Sequence, residues 1–234
     1  MESLRQNIAA VRERIARAAE GAGRDPSGIA LLAVTKIFPA AAIQEAYELG
    51  LREFGENYVQ EFEGKAPEVG GLAGARFHLI GHLQSNKAKK AVELFRVIQT
   101  VDSAKLARRL NEAVQPASGV AIGPAGESPL EVMLEVKLSG EDAKSGADPA
   151  ELPAIVEAVH GCRNLRLTGL MTMPPWSDDP EVSRPYFRRL RELAEQLGLT
   201  GLSMGMSHDL ETAIEEGATC VRVGTALFGK RKKV

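Results

Sequence analysis

A primary amine that closes an apolar strand, and two hydroxyl-bearing turns near the far end of the chain, are the features of this sequence best placed to do chemistry. The run IALLAV leads into TK, so Leu32, Val34 and Lys36 alternate onto one face and Lys36 stands where the strand ends. An ammonium drawn into low-dielectric surroundings for structure alone is costly. A lysine so placed can instead attack a carbonyl. Alone, such a lysine is more often a solvent or salt-bridge residue, and its neighbours in space must decide. Towards the C-terminus, SMGMSHD leaves Ser207 just before a helix starting near Asp209, and CVRVGTALFG leaves Gly224 and Thr225 before another helical turn. Glycine admits a close backbone approach, hydroxyls donate hydrogen bonds, and amides at a helix start point at negative charge. N-capping by Ser207 and Thr225 accounts for either turn alone; their pairing at consecutive strand ends favours a phosphate. Arg222 shares the inward face with Gly224, and a guanidinium directed inward needs an acceptor such as a carboxylate or a pyridine nitrogen.

The elements that must position these groups follow one rhythm. Leu4, Ile8, Val11 and Ile15 recur at helical spacing over about residues 2–20. Thereafter strand candidates at 29–34, 52–55, 77–81, 96–101, 130–136, 165–171, 201–205 and 220–224 alternate with helix candidates, Ser103 being a plausible N-cap for the helix at 103–114. Strand–helix alternation demands parallel pairing with right-handed crossovers. The chain has 234 residues, within the roughly 200 to 250 that eight such units need. The expected fold is therefore α/β, a single (β/α)8 TIM-type barrel with an extra N-terminal helix, spanning 1–234 as one domain. A doubly wound sheet is the competitor, but TKIFP follows the first strand where a GxGxxG turn would stand. Closure puts the first strand beside the eighth, and phosphate sites of barrels commonly form after strands seven and eight. A phosphorylated aldehyde is the natural ligand of that geometry. The stretch 115–129, rich in Gly, Pro and Ser, reads as a surface loop without evident chemistry.

Several function classes are disfavoured. Lys and Arg number 29 against 31 Asp and Glu, a formal charge of −2, so neither nucleic acid nor an anionic membrane is an implied partner. The basic run Lys230–Lys233 reads as a solvated tail. Cys162 and Cys220 lack CxxC or metal-like spacing and are expected as buried free thiols. With no apolar run of signal-peptide or membrane-spanning length, a cytoplasmic location is expected. His78 and His82 flank Gly81 without a third ligand, so no zinc site is expected. Trp176 reads as a loop aromatic on the barrel rim.

The segments LLAVTK (31–36), FGENYVQE (54–61), FHLIGHLQSNK (77–87), KSG (144–146), GLMTM (169–173) and SMGMSHDLETAIEEGATCVRVGTALFGKR (203–231) resemble the pyridoxal phosphate homeostasis proteins over nearly the whole chain. This resemblance implies a barrel similar to the N-terminal domain of bacterial alanine racemase, with pyridoxal 5′-phosphate held as a Schiff base on Lys36. It further implies that Ser207, Gly224 and Thr225 hold the phosphate, that Arg222 meets the ring nitrogen, and that Asn57 walls the pocket, with Met206 and Ile80 as further lining. Lys137 departs from the family pattern, where asparagine is expected, and the 115–129 loop is longer than usual. Three functions stay open on the residues: a cofactor carrier without robust catalysis, an amino-acid racemase or related pyridoxal enzyme, and a lysine-imine aldolase on a sugar phosphate. For the first, recipient apoenzymes are candidate partners and a monomer is expected.

Overall fold

The computed structural model describes residues 2–114, 129–139 and 145–229. Eight strands, β1 (Ala30–Val34), β2 (Glu53–Glu56), β3 (Arg76–Leu79), β4 (Val97–Val101), β5 (Leu130–Glu135), β6 (Leu165–Met171), β7 (Gly201–Ser203) and β8 (Cys220–Val223), form a closed barrel in chain order. All neighbours pair in parallel, and β8 closes on β1 with Arg222 opposite Leu32. The helices α1 (Glu2–Gly21), α2 (Ala40–Glu48), α3 (Val59–Val69), α4 (Ala88–Leu94), α5 (Ala104–Ala113), α6 (Leu152–His160), α7 (Arg184–Gln196), α8 (Leu210–Glu215) and α9 (Thr225–Phe228) alternate with them. The expected (β/α)8 barrel with its extra N-terminal helix is the fold observed.

Alternation along each strand separates two cores. Ala33, Phe54, Phe77, Leu79, Ile98, Val132, Leu134, Leu170, Leu202, Val221 and Val223 face outward into the layer between sheet and helices. There Phe62 of α3 packs on Phe77 and Phe95 with ring centroids 4.6 and 5.0 Å apart. Leu32, Val34 and Ile80 face the barrel axis. The axis is otherwise unusually polar, holding Gln99, Glu135, Ser203 and Arg222, all buried. Ser103 caps α5 through its hydroxyl, which accepts from Leu106 N. The seventh strand is shorter than expected: it ends at Ser203, because Gly205 takes φ +87 and turns the chain out of extended geometry. A Cβ there would also lie 2.5 Å from the Ala213 Cβ.

Helix α1 buries Leu4, Ile8, Val11 and Ile15 against the barrel flank at α8 and α9. Asn7 Nδ2 donates to Leu227 O at 2.7 Å, Arg24 donates to Ile214 O and Ala218 O, and Arg14 pairs with Glu211 at 2.6 Å while also donating to Ser207 O at 3.0 Å. The added helix thus braces the segment that carries Ser207. Among the described residues no helix is long and apolar enough to cross a membrane. The loop at 115–128 and the basic run at 230–233 lie outside the described residues.

Candidate functional site

A cavity of about 420 Å³ opens at the C-terminal ends of the strands and gathers every candidate residue. Lys36, Asn57, Ile80, Met206, Ser207, Arg222, Gly224 and Thr225 all line it. Its apolar walls come from Val34, Phe38, Ile80, Met173, Trp176 and Met206, and its volume falls within the range of small-ligand sites, about 300 to 1,000 Å³.

Lys36 lies two residues beyond β1, in a turn, and not in the strand itself. That turn is anchored on both sides of the lysine. Thr35 Oγ1 donates to Glu56 Oε1 at 2.7 Å, Thr35 O accepts from Lys65 Nζ at 3.0 Å, and Ile37 N donates to Glu61 Oε1. Lys65 Nζ also donates to Glu56 at 2.9 Å and Glu61 at 2.7 Å, completing a buried cluster directly behind the turn. Ile37 takes φ +66, the sole described non-glycine residue with positive φ. A β-branched residue in that region is strained by about 1 to 3 kcal/mol; the cluster supplies the contacts that hold it. Burial of Glu56 pushes its carboxyl above the usual range despite the Lys65 charge and the Thr35 and Lys65 hydrogen bonds.

The two turns after β7 and β8 are tied to each other. Ser207 does not cap α8; its Oγ accepts from Ala226 N at 3.2 Å, in the first turn of α9. Thr225 is the first residue of α9 and not its cap, which is Gly224. Leu227 N and Phe228 N bond to Gly224 O, so the Gly224 and Thr225 amides have no partner within the helix they start. Asp209, 1 % exposed, accepts from Met206 N at 2.6 Å and from Ser183 Oγ at 2.9 Å, fixing the chain around Ser207.

Arg222 is 3 % exposed and meets no carboxylate within ion-pair distance among the described residues. Its Nη1 donates to Ser203 O at 2.7 Å and Ser203 Oγ at 2.8 Å, and its Nη2 to Thr172 O at 2.8 Å. Burial lowers its pKa, opposed by the charges of Cys220, Asp209 and Glu135. On the other side of β1 from Arg222, Asn57 follows β2, and its Oδ1 is buried with no hydrogen-bond partner among the described residues. Gly81 makes that placement possible, since a Cβ there would lie 2.1 Å from Asn57 O.

Three features of the site are not evident in the sequence. His208 lines the cavity beside Ser207, its ring 4.0 Å from that of Trp176 and its Nε2 3.4 Å from Asp209 Oδ2. Trp176, 67 % exposed, stands at the cavity mouth and forms part of the site, beyond the rim packing expected of it. Glu135 and Lys137 border a neighbouring recess that shares Met173, Trp176 and Met206 with the cavity, so Lys137 is not on the wall of the cavity that holds Lys36. Glu135 is buried with one oxygen unpartnered, and burial pushes its carboxyl up, partly opposed by the Ser145 hydrogen bond. A raised folded-state pKa weakens the fold as pH climbs through it. Glu135→Gln is therefore expected to gain stability relative to wild type as pH rises above the ordinary carboxylate range in urea unfolding, and a pH-independent difference would exclude a raised Glu135 pKa.

The remaining titratable residues are elsewhere. Tyr47 sits in α2 and donates to Ala73 O, Tyr58 caps α3 without a side-chain bond, and Tyr186 lies in α7; none lines the cavity. Cys162 is buried, Cys220 only partly, and both are free thiols. No cluster of His, Cys, Asp and Glu among the described residues is suited to a metal ion.

Comparison with known proteins agrees with this geometry. Residues 2–232 match the alanine racemase N-terminal domain family. The chain is 50 % identical to the pyridoxal phosphate homeostasis protein of Pseudomonas aeruginosa, covering 99 % of this chain and 97 % of that one, and 41 % identical to that of Escherichia coli K12, covering 99 % and 98 %. PipY of Synechococcus elongatus, solved with PLP bound, superposes with a TM-score of 0.80 at 40 % identity over 97 % of this chain and all of that one. Alanine racemase of Clostridium difficile shares the fold at 14 % identity, with a TM-score of 0.73 over all of this chain and 58 % of the racemase. By fold, by sequence over nearly its full length and by the matched domain, the chain belongs to the pyridoxal phosphate homeostasis protein family, built on the alanine racemase N-terminal barrel.

Proposed function

We propose that this chain binds pyridoxal 5′-phosphate covalently through Lys36 and acts in intracellular homeostasis of that cofactor, as a carrier without robust catalysis. The observation that carries this reading is the opening of one cavity onto an amine at the end of β1, tied hydroxyl turns after β7 and β8, and a buried guanidinium on β8. The cofactor supplies an aldehyde that condenses with a primary amine. Lys36 offers that amine. Ser207 and Thr225 would offer hydroxyls to the phosphate, and the Gly224 and Thr225 amides at the start of α9 would be available to hold it. Arg222, a donor only, suits an unprotonated ring nitrogen. The unpartnered Asn57 Oδ1 leaves an acceptor for a ligand hydroxyl, and Ile80 and Met206 give the ring apolar walls. We read the chain as one domain acting as a monomer in the cytoplasm, with recipient apoenzymes as its destinations.

The phosphate turns predict a strong preference for the phosphorylated cofactor. Each charge-assisted hydrogen bond contributes about 1.5 to 3 kcal/mol, so pyridoxal should bind about 100-fold or more weakly than its phosphate by fluorescence titration, and Thr225→Val should cost about tenfold. Equal affinity for the two compounds would remove the phosphate site.

The carrier reading against the enzyme reading turns on proton transfer. Racemisation needs acid–base groups on both faces of a carbon. Lys36, His208 and Arg222 are the titratable residues lining the cavity among the described residues; the His208 ring packs on Trp176, and its buried Nε2 lies 3.4 Å from Asp209 Oδ2 without a hydrogen bond. Loaded protein incubated with L-alanine and other L-amino acids in deuterated water should exchange α-protons no faster than free pyridoxal phosphate. Turnover near about 10 per second, the median for enzymes, would overturn the carrier reading.

A further inference from the structure

A chain of buried side chains runs from Arg222 down the barrel axis to the opposite end. Ser203 Oγ lies 2.8 Å from Arg222 Nη1 and 2.6 Å from Gln99 Oε1; Gln99 Nε2 lies 2.9 Å from His78 Nδ1; His78 Nε2 contacts Glu53 Oε2. These five residues come from β8, β7, β4, β3 and β2. Ser203 and Gln99 are 0 % and 1 % exposed, which leaves neither group the option of water. The chain ends near Arg76, which reaches Glu53 at 3.5 Å and Glu131 at 2.7 Å, and Arg166 completes the far rim at 2.7 Å from Glu131.

Its direction is forced from one end. Arginine has donors and no acceptor, so the Ser203 hydroxyl accepts from Arg222 and gives its own proton to Gln99 Oε1. The Gln99 amide group then faces His78 Nδ1, which must accept. His78 therefore carries its proton on Nε2 and donates it to the Glu53 carboxylate. Burial pushes the Glu53 carboxyl up, but the hydrogen bond from His78 and the charge of Arg76 outweigh it and hold it below the usual carboxylate range. Every link points the same way, from a buried cation to a carboxylate on the far side of the barrel.

We propose that Ser203, Gln99 and His78 are positioning residues that aim Arg222 into the cofactor cavity. The inference rests on the reading of that cavity as a pyridoxal phosphate site. Ser203 and Thr172 O occupy three of the five guanidinium N–H groups, which leaves Nε–H and one Nη2–H for the cavity. The ordering of Ser203 by Gln99 and His78 determines which three are taken. Besides Glu53 and Arg76 at the floor, the ionisable groups around Arg222 are Cys220 on its own strand, Glu135 on β5 and Asp209 after β7. Of these, Cys220 adjoins the chain, its thiol within hydrogen-bonding reach of Ser203 and Gln99, whereas Glu135 and Asp209 stand outside it.

Two measurements test this. In Gln99→Met, which keeps volume and removes both links, Lys36 should still take up pyridoxal phosphate, seen as a borohydride-fixed mass increment. The dissociation constant should rise about tenfold, the worth of one such hydrogen bond, and the absorption maximum of the bound cofactor should shift; Ser203→Ala should shift it in the same direction. Wild-type affinity and spectrum in both variants, with only melting temperature lowered, would overturn the proposal and leave the cofactor reading standing. Independently of any cofactor, nitrogen-15 NMR of the protein alone at pH 8 should show His78 protonated at Nε2 and bare at Nδ1. A proton on Nδ1 would overturn the chain's direction. Failure of the wild type to bind the cofactor would overturn the underlying reading instead.

Discussion

Lys36→Ala is expected to abolish the borohydride-reducible attachment of pyridoxal phosphate, and with it absorption at the violet edge of the visible, while the barrel stays folded. Lys36 is the only primary amine among the described residues lining the cavity, so no neighbour can take its place there. It is partly exposed and lies outside β1, so truncation leaves the strand and both cores intact. Ser207, Gly224, Thr225 and Arg222 remain, and weak non-covalent retention by equilibrium dialysis is expected alongside loss of the band. Tryptic mass analysis after reduction checks the result. An adduct of full yield in Lys36→Ala would assign the attachment to another lysine and remove the basis for the site.

The second large effect is expected behind the site. Lys65, 8 % exposed, joins Thr35 O, Glu56 and Glu61 in one cluster. Removing one partner of a buried ion pair leaves an uncompensated charge and typically costs about 3 to 5 kcal/mol. Lys65→Met should therefore lose stability of that order in urea unfolding. With the cation gone, burial pushes the Glu56 carboxyl further up, so the deficit should shrink as pH falls and Glu56 becomes neutral. Lys65→Met combined with Glu56→Gln should recover part of the loss at neutral pH. A loss below about 1 kcal/mol, of the size measured for exposed pairs, would show that the cluster is solvated. Because the same lysine holds Thr35 O, surviving Lys65→Met protein should also attach the cofactor more slowly.

Much of this was legible in the residues. Period-two alternation in LLAVTK assigned Leu32, Val34 and Lys36 to the barrel axis, and the strand–helix rhythm implied a barrel closed by β1 against β8. From that closure alone Lys36, Ser207, Arg222, Gly224 and Thr225 had to converge, and they line one cavity. What sequence could not supply was the partner of each inward side chain. Glu61 and Lys65 look like an exposed i,i+4 helix pair; Lys65 is buried and Glu61 partly so, because Glu56 from β2 and Thr35 beyond β1 stand opposite them. His78 reads beside His82 as an incomplete metal set, and Ser203 and Gln99 are 104 positions apart, yet all three residues His78, Gln99 and Ser203 belong to the relay beneath Arg222. Trp176 and His208 meet through two loops that no periodicity describes. Alternation is local and decides which face a side chain takes. Strand register and the closure of the sheet decide which side chains then share a level of the axis, and those are set only when all eight strands pack together.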